Sequence, residues 1–213
     1  MTPTEQILSR KIVAIVRLTD YSRAVEVAQA LLDGGITVLE FTLTGNGALE
    51  AITTVRKTLG DQLCVGVGSV LHPEQATSAI DAGAQFVVTP AMRPAAIAAC
   101  VNRGVLVLSG GITPTELLAA HEAGAELVKL FPARLGGPAY MKDVLAPLPF
   151  LKLVPTGGVS ADNARDYLAA GAVALGIGGN LIPQQAVSSG NFAQITAAAR
   201  DCVAAVVGDR VTG

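Results

Sequence analysis

The chain has 213 residues and no Trp, and its 15 Lys and Arg against 17 Asp and Glu leave a formal net charge of −2. About half of it is apolar (51%) and only 15% is charged, which excludes a disordered chain and leaves no basic stripe for nucleic acid. Mean hydropathy is +0.50, yet no unbroken apolar run reaches the ~18–20 residues a membrane span needs, so the apolar excess is assigned to a large core.

In chain order, a short helical segment is expected ahead of a first strand at Ile12–Val16, a run that stops at Arg17 and is too short for a signal-peptide core. Ser22 then heads an amphipathic helix over Ala24–Leu32, apolar at 24, 25, 27, 28, 31 and 32. Further strands are expected near Val38–Thr42, Leu63–Val67, Phe86–Thr89, Val105–Leu108, Leu127–Phe131, Lys152–Pro155 and Val173–Ile177. These runs are nearly continuously apolar, as parallel strands covered on both faces should be. Thr113-Pro114-Thr115-Glu116 is a capping box with Pro at the first helical position, and His72-Pro73 and Arg93-Pro94 place Pro the same way.

Helix ends are marked by Gly35, Gly83, Gly104, Gly124 and Gly171, each just ahead of a strand. Gly60 and a unit around Pro149 divide the two long gaps. Eight βα units with no break in composition predict one (β/α)8 TIM barrel, a single domain over 1–213; an open doubly wound sheet is the competitor. Cys64, Cys100 and Cys202 lie far apart, which fits buried thiols in a reducing cytoplasm. With His72 and His121 the only histidines, a Cys/His zinc site has almost no material, and no metal is expected.

The informative residues are charges set in strand runs, because a buried charge costs several kcal/mol unless compensated. Four stand out: Arg17 after strand 1, Glu40 in Val-Leu-Glu-Phe-Thr, Lys129 in Leu-Val-Lys-Leu-Phe-Pro, and Lys152 in Leu-Lys-Leu-Val-Pro. Structural pairing, or a place at the solvated bottom of the barrel, would account for any one of them. Together they have a chemical use. A desolvated, unprotonated Lys can attack a ketone and form an imine; a carboxylate with a raised pKa can shuttle its protons; a guanidinium can hold a carboxylate. Lys129 and Lys152 each stand three residues before a proline, so spacing leaves the choice open, although the glycine-rich sequence after Lys152 favours a structural role for it.

Two glycine pairs end the last two strands, in Thr156-Gly157-Gly158-Val159-Ser160 and Gly176-Ile177-Gly178-Gly179-Asn180. Backbone N–H groups bare of side chains can converge on phosphate oxygens, aided by a helix N-terminus, and barrels commonly bind phosphate after strands 7 and 8. Plain turns also use glycine freely. Gly110-Gly111 after strand 5 and Gly66 and Gly68 around strand 3 are read as clearance for packing and substrate approach.

These residues are similar to one family. The chain resembles the 2-keto-3-deoxy-6-phosphogluconate (KDPG) and 4-hydroxy-2-oxoglutarate aldolases, from about Ile12 to Ile182. The likeness rests on Leu39-Glu40-Phe41-Thr42, Val65-Gly66-Val67-Gly68-Ser69-Val70, Val88-Thr89-Pro90, Val154-Pro155-Thr156-Gly157-Gly158-Val159, Gly176-Ile177-Gly178-Gly179 and, most diagnostic, Val128-Lys129-Leu130-Phe131-Pro132-Ala133.

The resemblance implies a metal-independent class I aldolase with no cofactor, usually a homotrimer. Lys129 is then the Schiff-base lysine and Glu40 the general acid/base. Arg17, Thr42, Ser69, Pro90, Phe131 and Thr156 would bind substrate, and Gly157, Gly158, Gly178, Gly179 and Asn180 its phosphate. Some members carry an Arg at the position of Thr44; here Arg17 supplies the guanidinium. Asn180 stands where a Ser is common, and Ser109 where a Pro is.

The implied reaction cleaves 2-keto-3-deoxy-6-phosphogluconate to pyruvate and glyceraldehyde 3-phosphate, with small molecules and no nucleic acid or membrane as partners. The galactonate epimer or unphosphorylated 4-hydroxy-2-oxoglutarate would keep the chemistry and change the substrate. A phosphosugar isomerase or epimerase, or a non-catalytic phosphate-binding barrel, would use the glycine loops without an imine lysine.

Overall fold

The computed structural model describes residues 1–207, so the end of the expected domain at 213 lies outside the described residues. Its strands are β1 (Ile12–Val16), β2 (Val38–Thr42), β3 (Cys64–Gly68), β4 (Phe86–Val88), β5 (Leu106–Gly111), β6 (Leu127–Leu130), β7 (Leu153–Pro155) and β8 (Leu175–Ile177). They form one eight-stranded sheet in the order β7-β6-β5-β4-β3-β2-β1-β8, parallel throughout. A further parallel bridge, Thr156 to Gly176, joins β7 to β8 and closes the sheet on itself. The fold is a (β/α)8 barrel, and the open sheet is excluded.

Helix α1 (Pro3–Arg10) precedes β1 and places the fully buried Ile7 inside the barrel floor. The connecting helices are α2 (Ala24–Asp33), α3 (Ala48–Leu59), α4 (Pro73–Asp81), α5 (Pro94–Asn102), α6 (Pro114–Glu122), α7 (Gly137–Leu145) and α8 (Ala164–Ala169). After β8 come α9 (Gln184–Ser189) and α10 (Phe192–Val207). No described helix is long and apolar enough to cross a membrane.

The expected signals operate where local chemistry decides. Thr113 and Glu116 form the reciprocal capping box, and Pro73, Pro94 and Pro114 open their helices. Gly83 and Gly171 both adopt φ +104°, a conformation in which a Cβ would clash. Ser22 does not cap α2. Its N–H is taken by Asp20 Oδ1 at 2.8 Å, and Arg23 stands at the cap without a side-chain hydrogen bond.

β5 runs three residues past its expected end. Ser109, Gly110 and Gly111 have weak strand preference, but pairing with Val128, Lys129 and Leu130 on β6 holds them extended. β3 starts one residue late and gains Gly68, while β4, β6, β7 and β8 each lose one or two terminal residues to the loops.

Alternation along the strands sorts the core into two sets. Ala14, Leu39, Val65, Val87, Val107, Val128, Leu153 and Leu175 pack outward in the cluster shared with the helices. Val13, Val38, Cys64, Phe86, Leu108, Leu127, Val154 and Ala174 fill the barrel interior. The three cysteines are buried and free, and burial pushes the Cys64 and Cys100 thiols up to about 11.

Candidate active site

Counting in twos up each strand from the interior set reaches the C-terminal mouth. Val13 leads to Ile15 and Arg17, Val38 to Glu40 and Thr42, Leu127 to Lys129 and Phe131, and Val154 to Thr156. Strand periodicity thus aims the predicted residues into one space, at the end of the barrel where such folds place their chemistry.

Glu40 and Lys129 are the only buried charged side chains among the described residues, 2% and 4% exposed. Each is shifted first by its own burial. Desolvation holds Glu40 above its usual 4.5, opposed by the nearby charges of Lys129 and Arg17. Desolvation holds Lys129 below its usual 10.5; Glu40 opposes this and Arg17 reinforces it. The ion pairs within 4.0 Å among the described residues are Arg23–Glu26, Arg56–Asp61, Arg103–Asp81 and Lys152–Glu126, so the buried pair acts across a gap rather than through contact. Lys129 Nζ stands 5.1 Å from the centroid of the Phe131 ring.

β3 and β5 make the room. In register Glu40 faces Gly66 and Thr42 faces Gly68, but the Glu40 carboxylate reaches one layer up and lies on Gly68. Gly66 admits the Phe86 ring in the same way. Gly110, paired with Lys129, gives its free face to the backbone of Pro90, which brings Pro90 beside the lysine strand. Ser69 follows Gly68 directly, half-buried, with φ +62°, an unusual conformation for a residue with a side chain. Ser109 has the outward parity and meets Thr89 Oγ1 at 3.1 Å, so this departure from the family pattern lies away from the buried pair.

Lys152 belongs elsewhere. It stands one residue before β7, at the opposite mouth, and bonds Glu126 at 3.0 Å, while Thr4 of α1 donates to the same carboxylate at 2.9 Å. That is structural pairing, at the mouth away from Glu40 and Lys129.

At the same end of the barrel opens a cavity of about 490 Å³, whose lining includes neither Glu40 nor Lys129. Arg17, Phe131, Thr156, Gly157, Gly158, Gly178, Gly179 and Asn180 line it. Thr42, Ser69 and Pro90 do not line it. Thr42 is instead bonded to Thr44, Oγ1 to Oγ1, at 2.8 Å. The two glycine pairs have different physical causes. Gly157 and Gly158 adopt φ +86° and +89°, whereas Gly179 is at negative or extended φ with open space where its Cβ would be. Among the described residues the N–H groups of Gly158, Gly179 and Asn180 donate to no protein acceptor. The expected help from helix N-termini is not there: α8 and α9 begin only at Ala164 and Gln184, several residues beyond the glycines, so the donors are loop amides.

Two residues at the site were not among those expected. The buried Tyr21 hydroxyl donates to Thr42 O (2.8 Å) or Val16 O (2.9 Å) and accepts from the N–H groups of Thr42 (3.1 Å) and Leu18 (3.4 Å). It therefore ties the backbone on both sides of Arg17 to the end of β2. Arg134, immediately after the Lys-Leu-Phe-Pro-Ala segment, also lines the cavity; its place in the chain was the one available signal. Among the described residues, no group of three or more His, Cys, Asp or Glu is placed to hold a metal ion.

Residues 4–198 match the family model described as KDPG and KHG aldolase. The chain belongs to that family. It is 40% identical over 189 residues to the 2-dehydro-3-deoxy-phosphogluconate aldolase of Treponema pallidum, covering 88% of this chain and 89% of that one. It is 35% identical over 205 residues to the KHG/KDPG aldolase of Escherichia coli, covering 95% of both. Among solved structures, the KDPG aldolase from Legionella pneumophila, with pyruvate captured at low pH as a covalent carbinolamine intermediate, superposes with a TM-score of 0.87 at 27% identity, over 94% of this chain and 97% of that one. Membership makes the protein an aldolase, and so a lyase.

Proposed function

We propose that this aldolase cleaves 2-keto-3-deoxy-6-phosphogluconate to pyruvate and glyceraldehyde 3-phosphate through an imine on Lys129. The observation that carries the reading is that the only two buried charges among the described residues, Lys129 and Glu40, share the inner face of the barrel.

Desolvation favours the neutral amine of Lys129, which attacks the C2 ketone; loss of water gives a protonated imine. Glu40, held toward its protonated form, supplies the proton that expels the water. The C4 hydroxyl then loses its proton to the Glu40 carboxylate, directly or through water. The C3–C4 electron pair moves into the imine, C4 becomes the aldehyde of glyceraldehyde 3-phosphate, and an enamine of pyruvate remains. Protonation at C3 and hydrolysis free pyruvate and restore the amine. In this scheme the imine is the electron sink, so no cofactor is required.

In this reading Arg17 and Ser69 would orient the substrate carboxylate and so fix which carbonyl meets the lysine. The loops around Gly157, Gly158, Gly178, Gly179 and Asn180 would take the far phosphate. An isomerase or a passive phosphate binder would leave the buried pair without a use. The same reading takes the enzyme as a cytoplasmic homotrimer: the buried free thiols suit a reducing compartment, and Leu135 and Phe150 expose apolar surface, 73% and 52%, that an interface could cover.

The test is release of pyruvate from the phosphorylated keto acid, followed with a coupled dehydrogenase. Wild type turns over and Lys129→Ala loses at least about three orders of magnitude in kcat. Comparable turnover by the two proteins would overturn the reading.

A further inference from the structure

We infer that Arg134 selects substrates by the charge and shape of their far end, giving preference to a terminal phosphate over a terminal carboxylate; the inference rests on the aldolase reading of the cavity. Arg134 lies in the short 3-10 turn Ala133–Leu135 that follows β6. This turn is pinned to the glycine loop after β7 by two backbone hydrogen bonds, from Ala133 N to Thr156 O at 2.8 Å and from Arg134 N to Gly157 O at 2.9 Å. The bare α-carbon of Gly158 receives the start of the Arg134 side chain, so a residue with a Cβ at 158 would push it off the loop. The base of the side chain is therefore fixed against the loop that carries the unpartnered amides.

The charge balance of the cavity points the same way. Arg17 and Arg134 both line it, no Asp or Glu does, and neither guanidinium has a hydrogen-bond or ion-pair partner among the described residues. Outside the cavity, Arg23, Arg56 and Arg103 are paired with carboxylates, and Arg93 and Arg165 donate to backbone carbonyls. Arg10 and Arg200 show no such partner among the described residues, so it is the convergence of two cations with no acid on one cavity that counts. The two cations suit a substrate with an anion at each end. At the end Arg134 serves, the N–H groups of Gly158, Gly179 and Asn180 add three donors. A guanidinium with three amides matches the three oxygens and near-double charge of a phosphate monoester; a carboxylate offers two oxygens and one charge. The ligand class selected is thus a 2-keto acid ending in a phosphate monoester.

The experiment compares wild type with Arg134→Gln and Arg134→Lys on 2-keto-3-deoxy-6-phosphogluconate and on 4-hydroxy-2-oxoglutarate. The ratio of kcat/KM values, phosphate over carboxylate, falls about ten- to one-hundred-fold in Arg134→Gln, as expected for a lost hydrogen bond between charged groups, and falls less in Arg134→Lys. Titration calorimetry with inorganic phosphate gives a second readout that needs no turnover, with Kd rising about ten-fold in Arg134→Gln. An unchanged ratio, an equal loss on both substrates, or an unchanged phosphate Kd overturns the inference. If wild type forms no adduct with pyruvate, it is the aldolase reading that fails, and the phosphate titration still decides whether Arg134 binds the anion.

Discussion

The carboxylate of Glu40 rests on the α-carbon of Gly68, its Cδ 2.7 Å from where a β-carbon on that glycine would stand. An acid on β2 is thereby seated by an absent side chain on β3, one layer above its own register partner Gly66. The consequence is that Gly68 controls where the proton donor sits. Gly68→Ala is expected to displace the carboxylate by about an ångström and lower kcat roughly 100-fold, with the far-ultraviolet circular dichroism of the barrel retained. Steady-state kinetics on the folded variant checks this; unchanged kcat would mean that the position of Glu40 is not critical.

Glu40→Gln keeps the size of the side chain and removes its proton transfer. Turnover is expected to fall about 10²- to 10⁴-fold while thermal unfolding remains cooperative. Near-normal turnover would remove Glu40 from the mechanism.

The pH dependence of imine formation has a sign fixed by the surroundings of Lys129. Glu40 raises the pKa of this amine and Arg17 lowers it. Taking away Glu40 as Glu40→Gln leaves the depression less opposed, so the acidic limb of the trapping profile with pyruvate moves to lower pH. Arg17→Gln moves the same limb to higher pH. Reductive trapping rates measured across pH test both, and shifts in a common direction would contradict the assignment.

Activity and stability are set against each other in this pair. Glu40 is raised above its usual value, so its stabilising contribution is full below about 4.5 and is lost as pH rises through the raised value. Lys129 is depressed, so stability falls as pH drops from the ordinary lysine range toward the lowered value. At neutral pH both terms weigh against the fold. Replacing the pair together, Glu40→Gln with Lys129→Met, is expected to abolish cleavage and raise stability by ~1–4 kcal/mol in denaturant titrations at pH 7. A lower stability would show that the pair is a net structural support.

Much of this was legible in the chain, and for stated reasons. Eight apolar runs gave the strands, because parallel strands buried on both faces leave a continuous signal, and a Glu and a Lys inside such runs have few places to go but the barrel interior. Strand ends were less legible: Ser109-Gly110-Gly111 reads as a turn, and only the facing β6 residues hold it in β5. The start of α2 is likewise set by the loop: Arg23 stands at the cap, and the N–H of Ser22 is bound by Asp20. Tyr21 and Arg134 carried no periodic signal, since each reaches the site from a loop that is positioned by tertiary contacts.

The central claim, that the amine of Lys129 is the nucleophile, is tested most directly by incubating the protein with pyruvate and borohydride and mapping the modified peptide by mass spectrometry. The reduced pyruvate adduct is expected on the peptide bearing Lys129 and nowhere else. Its absence, or its presence on Lys152, would contradict the account.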